Sequence, residues 1–198
     1  MASTYSSLKI ELIGTGDQAG TWGATTNVNL GTAIEEAITG SANVTFASSN
    51  TAIALTDTNA AQTARNLRLN LVGTITNQQT LFIPAIEKQY IVTNGLSNSV
   101  VVSNGSNASP TGTTVTVPAG KSMLVYNDGS NVADVITQLV SLALTNPLGI
   151  ASGGTGLATI GSNGTVLTSN GTVASWQTPA AGGISTGKSI AMALIFGF

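Results

Sequence analysis

The chain has 198 residues, no His, no Cys, and only 6 basic and 8 acidic side chains, for a formal net charge of −2. At 7% charged residues, against about 25% in an ordinary globular protein, few groups are present to move protons or bind ions. Without His or Cys there is no Ser-His-Asp or Cys-His nucleophile, no His/Cys metal or haem site and no disulfide. Six scattered cations do not line a phosphate backbone, so no nucleic-acid partner is expected. The chain is nevertheless 42% hydrophobic, with a mean hydropathy of +0.30, which is not the composition of a disordered chain. No run of 18 apolar residues is present, so membrane insertion is not expected either.

Residues 1–40 predict a small strand–loop–helix module. Leu8-Lys9-Ile10-Glu11-Leu12 alternates at period two, as a strand does. Gly14–Gly23 is a Gly-punctuated loop carrying Trp22. Asn27 or Thr26 can cap a helix whose apolar face is Leu30, Ile34, Ala37 and Ile38, with Gly40 just past its end; Glu35 and Glu36 fall on the solvent side. Such a module is too small to bury Leu8, Ile10, Leu12, Trp22, Leu30, Ile34 and Ile38 by itself, and these seven are the candidate attachment residues.

Residues 41–145 switch to period two throughout. Eight or nine short strands are predicted, at 43–46, 52–56, 67–72, 80–83, 89–93, 99–102, 113–117 and 123–126, with 132–136 as the optional ninth. Turn-forming Ser, Asn, Gly and Pro clusters separate them. Many short strands without helices between them predict a mainly β fold, an antiparallel β-sandwich or jelly-roll-like domain. Arg65–Leu71 alternates cleanly, so one face of that strand is expected buried and the other wet.

Residues 146–198 form a third segment, extended and rich in Gly, Ser and Thr. Ser162-Asn163-Gly164-Thr165-Val166 recurs as Ser169-Asn170-Gly171-Thr172-Val173. Such a stretch has no core of its own and is expected to be a linker or a piece ordered by neighbouring chains. Ile190, Met192, Leu194, Phe196 and Phe198 alternate with smaller residues, which predicts an apolar strand built to be buried. With Val166, Val173 and Trp176 they are the candidate oligomer-interface residues.

Three chemical motifs are weaker than they look. Gly182–Ser189 fits the Gly-x4-Gly-Lys-Ser phosphate-loop template, yet that mechanism needs a parallel sheet and an acidic magnesium ligand beyond it, and no acidic residue follows Ser189. Glu35 and Glu36 are adjacent on a helix and diverge, unlike a glycosidase pair. Asp128-Gly129-Ser130-Asn131 with Asp134 lacks EF-hand spacing and reads as a hairpin turn. The expectation is a protein with no catalytic residues, no cofactor and no metal.

Ser6–Gly23 with its Gly-Thr-Trp-Gly element, continued by Asn27–Leu30 and Ile34–Ile38, resembles the amino-terminal module of many tailed-phage fibre and virion structural proteins. Leu67–Leu69, Phe82–Pro84, Tyr90–Asn94, Val117–Lys121 and Tyr126–Asn131 resemble the β-sandwich that follows it in that group. Ala151–Gly156 and Gly164–Thr168 resemble fibre shaft sequences. The resemblance implies a non-enzymatic virion component of tail-fibre type, a homotrimer located on the particle and docked on the tail by its amino-terminal module. The alternative it leaves open is a capsid-attached decoration protein or head fibre, with a host surface glycan as a further partner of either.

Overall fold

The computed structural model describes residues 1–105 and 110–138, and beyond them 144, 148–149, 152, 154–155, 157, 159–179 and 186–197. The chain divides into two compact units, Met1–Gln138 and Leu139–Phe198. The fold is mainly β, as expected. The expected boundary at residue 40 does not separate compact units, because the first forty residues belong to the same unit as the sandwich.

In the first unit a two-residue hairpin, β1 (Thr4–Tyr5) with β2 (Glu11–Leu12), precedes a helix in three parts. These are α1 (Trp22–Val28), a π-helical stretch over Asn29–Ile34, and α2 (Glu35–Thr39). The helix therefore starts four or more residues before either expected cap, directly behind the Gly-rich loop. Gly40 follows its last turn as expected, but with an extended backbone (φ −63°, ψ 146°) rather than a left-handed one. It has to be glycine because a Cβ there would collide with Glu36 and with Asn66 Oδ1.

Nine strands follow: β3 (Ser41–Ala47), β4 (Thr51–Ala52), β5 (Arg68–Thr74), β6 (Gln79–Ile83), β7 (Glu87–Asn94), β8 (Val100–Asn104), β9 (Thr111–Val117), β10 (Ser122–Asp128) and β11 (Val132–Asp134). Each overlaps one of the expected nine. They form a five-stranded sheet in the order β11-β10-β7-β5-β3 and a four-stranded sheet in the order β4-β6-β8-β9.

The pairing corrects the antiparallel expectation. β3, β5 and β7 run parallel, as do β4, β6 and β8; only β10, β11 and β9 pair antiparallel with their neighbours. From β3 to β8 the chain alternates between sheets and winds as a spiral. Parallel neighbours in one sheet need a long crossover, and here the crossover is a strand of the opposite sheet. Short polar connections therefore cross the sandwich where hairpins were expected.

The core lies between the sheets, with Val44, Phe46, Leu69, Leu71, Tyr90, Val92 and Val125 from one facing Leu81, Ile83, Val100, Val102, Val115 and Val117 from the other. Alternation holds from Arg68 onward, Leu69 and Leu71 being buried and Arg68 exposed. Before that the run is not a strand: Arg65, of the same parity as Leu69 and Leu71, is fully buried in a 3₁₀ turn (Thr63–Arg65), and Asn66, of the parity of Arg68, is buried as well. Asn94 closes the far end of β7: its Nδ2 donates to Asn98 O and Val117 O, and its Oδ1 accepts from Leu96 N.

The second unit contains a hairpin, β12 (Val166–Ser169) with β13 (Ala174–Gln177), and a helix, α3 (Thr186–Phe196). The helix overturns the expected carboxy-terminal strand. Ala191, Met192, Ala193 and Leu194 are good helix formers, and among the described residues the alternation of large and small side chains that suggests a strand meets no partner strand.

Candidate attachment surface

Arg65 joins the amino-terminal segment to the sandwich. Its Nε donates to Leu8 O (3.0 Å), Nη1 to Glu36 Oε2 (3.0 Å) and Ala60 O (3.1 Å), and Nη2 to Lys9 O (3.2 Å) and Thr58 O (3.0 Å). The guanidinium has five N–H groups, and this cage gives each of them an acceptor. Glu36 is not on the solvent side as expected. Its side chain is mostly buried against Arg65, and its carboxylate also accepts from Gln62 N (3.1 Å). Backbone bonds from Leu67 N to Glu36 O and from Arg68 N to Gly40 O lead the helix end into β5. Tyr90 reaches the same turn from the core, its OH donating to Ala64 O at 2.9 Å.

The Gly-rich loop is a clamp. Asp17 accepts from Ser3 N (2.8 Å), Ser3 Oγ (2.7 Å) and Gln18 N (3.0 Å), and the Ser3 bonds hold its carboxyl below the usual carboxylate range. Gln18 bridges Glu11 and Thr25, while Asn59 Nδ2 donates to Glu11 Oε2 and Asn29 Nδ2 to Glu11 O. These bonds tie loop, hairpin and helix together. A cleft of about 260 Å³ lies between the hairpin and the sandwich, lined by Lys9, Ile53, Leu55, Pro84 and Ile86 among others. Lys9 pairs with Asp57 at 2.8 Å.

None of these contacts uses the apolar side of the helix. Trp22 is 61% exposed, Leu30 55% and Ile38 63%, and Leu12 beside them is also exposed. Leu8, Ile10 and Ile34 are half-buried. Trp22, Leu30, Ile34 and Ile38 fall in a four-residue rhythm. At about 100° per residue, sixteen residues of unbroken α-helix would carry Ile38 roughly 160° round from Trp22; the wider π turns over Asn29–Ile34 reduce that drift. The face that packs inward is instead Thr25, Asn29, Ala33, Glu36 and Ala37, of which Ala33 is fully buried. The expected apolar face of this helix is thus largely its outer one. Arg65, Glu36 and Ala33 were not singled out from the sequence, although Arg65 shares the parity of Leu67, Leu69 and Leu71.

In the second unit Val166, Val173, Leu167 and Trp176 are all substantially exposed. Trp176 donates its indole N–H to Thr159 O at 2.9 Å and lies against Gly161, where a Cβ would strike the ring. On α3 Ile190, Met192, Leu194, Ile195 and Phe196 are exposed, Leu194 to 85%. A strand would gather these side chains on one face; the helix distributes them around its axis. Phe198 lies outside the described residues, as do Gly182–Ser185 of the phosphate-loop look-alike. Lys188 and Ser189 fall in α3, and the strands before them are an antiparallel hairpin rather than a parallel sheet.

Asp128 shapes the β10–β11 turn, its Oδ1 accepting from Ser130 N (2.7 Å) and Asn131 N (2.6 Å) and its Oδ2 from Asn131 Nδ2 (3.2 Å). Those bonds hold its carboxyl below the usual range. Among the described residues no three acidic, His or Cys side chains converge on one point, and no helix is long and apolar enough to cross a membrane. Comparison with protein-family models, with curated proteins and with solved structures returns no match.

Proposed function

We propose that this chain is a non-enzymatic structural protein of a tailed-phage virion, of tail-fibre type, trimeric through residues 146–198 and docked on the tail by the outer face of its amino-terminal helix. The observation that carries the reading is the stripe of Trp22, Leu30 and Ile38. It stands in solvent on a unit whose core is otherwise closed, on a helix whose last part is tied to the Arg65 turn through Glu36. Contiguous apolar surface rimmed by polar residues is a common mark of a protein interface, and Trp is a frequent energetic anchor of one. The exposed Val166, Val173, Trp176 and α3 side chains support association of the second unit, since an isolated two-stranded hairpin is marginal in water.

Replacing Trp22, Leu30 and Ile38 together by Ser tests the docking face. The variant chain is expected to fold with a melting temperature close to wild type, because none of the three side chains is in the core, and to be missing from particles grown with it in place of the natural chain. Normal incorporation of the triple variant would exclude this face as the attachment site.

A further inference from the structure

The two lateral ends of the spiral are finished differently. At the β9/β11 end both edges are protected. Thr113 N donates to Asn131 Oδ1 (3.0 Å) and Thr113 Oγ1 to Val132 O (3.2 Å), so the β10–β11 turn lies over β9. β11 itself is only three residues long and carries Asp134. Shortness, charge and cover are the usual ways in which proteins blunt a sheet edge. At the opposite end β3 is neither short nor charged, and among the described residues only its start, Ser41 and Ala42, borders another segment, that of Ala61, Gln62 and Thr63. It spans seven residues, Ser41–Ala47, with no charge, no Pro and an unbroken register against β5.

The pairing shows which backbone groups β3 leaves free. Arg68 N donates to Gly40 O and Ser48 N to Thr74 O, both at 2.9 Å, and in a parallel ladder alternate residues bond to the same neighbour. The even-numbered residues of β3 therefore face β5. Ser41, Asn43, Thr45 and Ala47 turn their N–H and C=O groups to the empty side, where no strand of the sheet follows.

We propose that this edge pairs with the same edge of a second copy of the chain, antiparallel, across a twofold axis at Val44. In that alignment Ser41 stands opposite Ala47 and Asn43 opposite Thr45, so every residue with free backbone groups meets another with free groups. A shift by one residue would set free groups against groups already bonded to β5. The side chains agree with the same alignment. On the inner face Ala42 meets Phe46, small against large, and Val44 meets Val44; on the outer face Asn43 meets Thr45, a polar cross-strand pair. With no charge on the strand, two identical edges approach without repulsion. The contact is independent of the carboxy-terminal association proposed above, and it links two copies whatever number that association gathers.

The test is the mass of the full-length chain in solution. Thr45→Pro removes an N–H that faces the empty edge, a position where Pro is tolerated in an edge strand. It is expected to halve the mass of the wild-type particle without changing the circular dichroism of the fold. Should Thr45→Pro fail to fold, Asn43→Lys with Thr45→Lys serves the same purpose, since it sets lysine opposite lysine on exposed positions. Equal masses for wild type and the folded variant would overturn the proposal. Failure of the carboxy-terminal association reads differently: the wild-type multiplicity would fall, while the factor of two between wild type and variant would persist.

Discussion

Arg65 shows how one side chain fixes the placement of forty residues. Burying a guanidinium costs several kcal/mol unless its charge is paired and its N–H groups are bonded, and here Glu36 and four carbonyls do both. Removing one partner of such a pair leaves the other uncompensated, so Arg65→Met is expected to destabilise the first unit by about 3–5 kcal/mol, measured by urea denaturation. A loss below about 1 kcal/mol would show that the cage contributes little. Lys88 gives a pH dependence. It projects into the sandwich with its ammonium 4.8 Å from the centre of the Tyr90 ring, and burial lowers its pKa from 10.5 to about 8. Below about pH 8 the folded and unfolded chains are both protonated there, and folding bears the full cost of burying the charge. As pH rises through 8 the folded chain releases the proton while the unfolded chain keeps it up to about 10.5, so stability rises across that interval. Burial shifts the Tyr90 phenol the opposite way, so its ionisation favours the unfolded chain above about pH 10. Melting curves between pH 7 and 10 are expected to move upward for wild type and to lose the Lys88 contribution to that rise in Lys88→Met.

Among the elements, the helix and the β3–β5 pair show how local pattern and packing part company. The helix has two candidate faces, one of bulky aliphatic residues and one of Thr25, Asn29, Ala33 and Ala37. The small one turns inward, where Thr25 bonds Gln18, Asn29 bonds the Glu11 carbonyl and Glu36 pairs with Arg65. In the sheet, Gly73 is held at φ +106°, and a Cβ there would collide with the Phe46 carbonyl. Gly73→Ala is therefore expected to cost about 1–3 kcal/mol and to loosen β3 first, which amide exchange of Val44 and Phe46 would report. Exchange rates unchanged from wild type would mean that β3 adjusts without losing its pairing.

For the whole molecule, the two units divide the work. Met1–Gln138 contains the closed core, whereas the described part of Leu139–Phe198 exposes nearly every large side chain it has. A Thr45→Pro chain isolates the carboxy-terminal association from the β3 contact, and its mass is expected to be that of three chains of 19.8 kDa. A monomer in that experiment would remove the trimer from the proposed function. The expectation holds although α3 is a helix, because a helix that is apolar on all sides needs covering more than an amphipathic one does.

The position of all nine strands, the mainly β class and the helix ending at Gly40 were legible in the sequence, because period-two alternation and turn residues act over a few neighbours and need no knowledge of the rest. What depended on distant partners was not legible. Parallel and antiparallel strands share the same alternation, so the spiral emerged only when each strand's neighbour was known. Arg65 shares the parity of the buried leucines, but how its charge is buried depends on Glu36 and the carbonyls of Leu8, Lys9, Thr58 and Ala60, which converge on it only in the fold. The large and small residues of Ser189–Phe196 alternate as in a strand, yet they form a helix, and among the described residues no strand pairs with them. Of the seven attachment candidates, Trp22, Leu30, Ile38 and Leu12 stand in solvent while Leu8, Ile10 and Ile34 are half-covered. Composition alone determined that these residues exceed what a forty-residue segment can bury. Which of them are covered was decided by the tertiary structure, because the Arg65–Glu36 pair and the bonds of Thr25 and Asn29 turn the small-residue side of the helix inward.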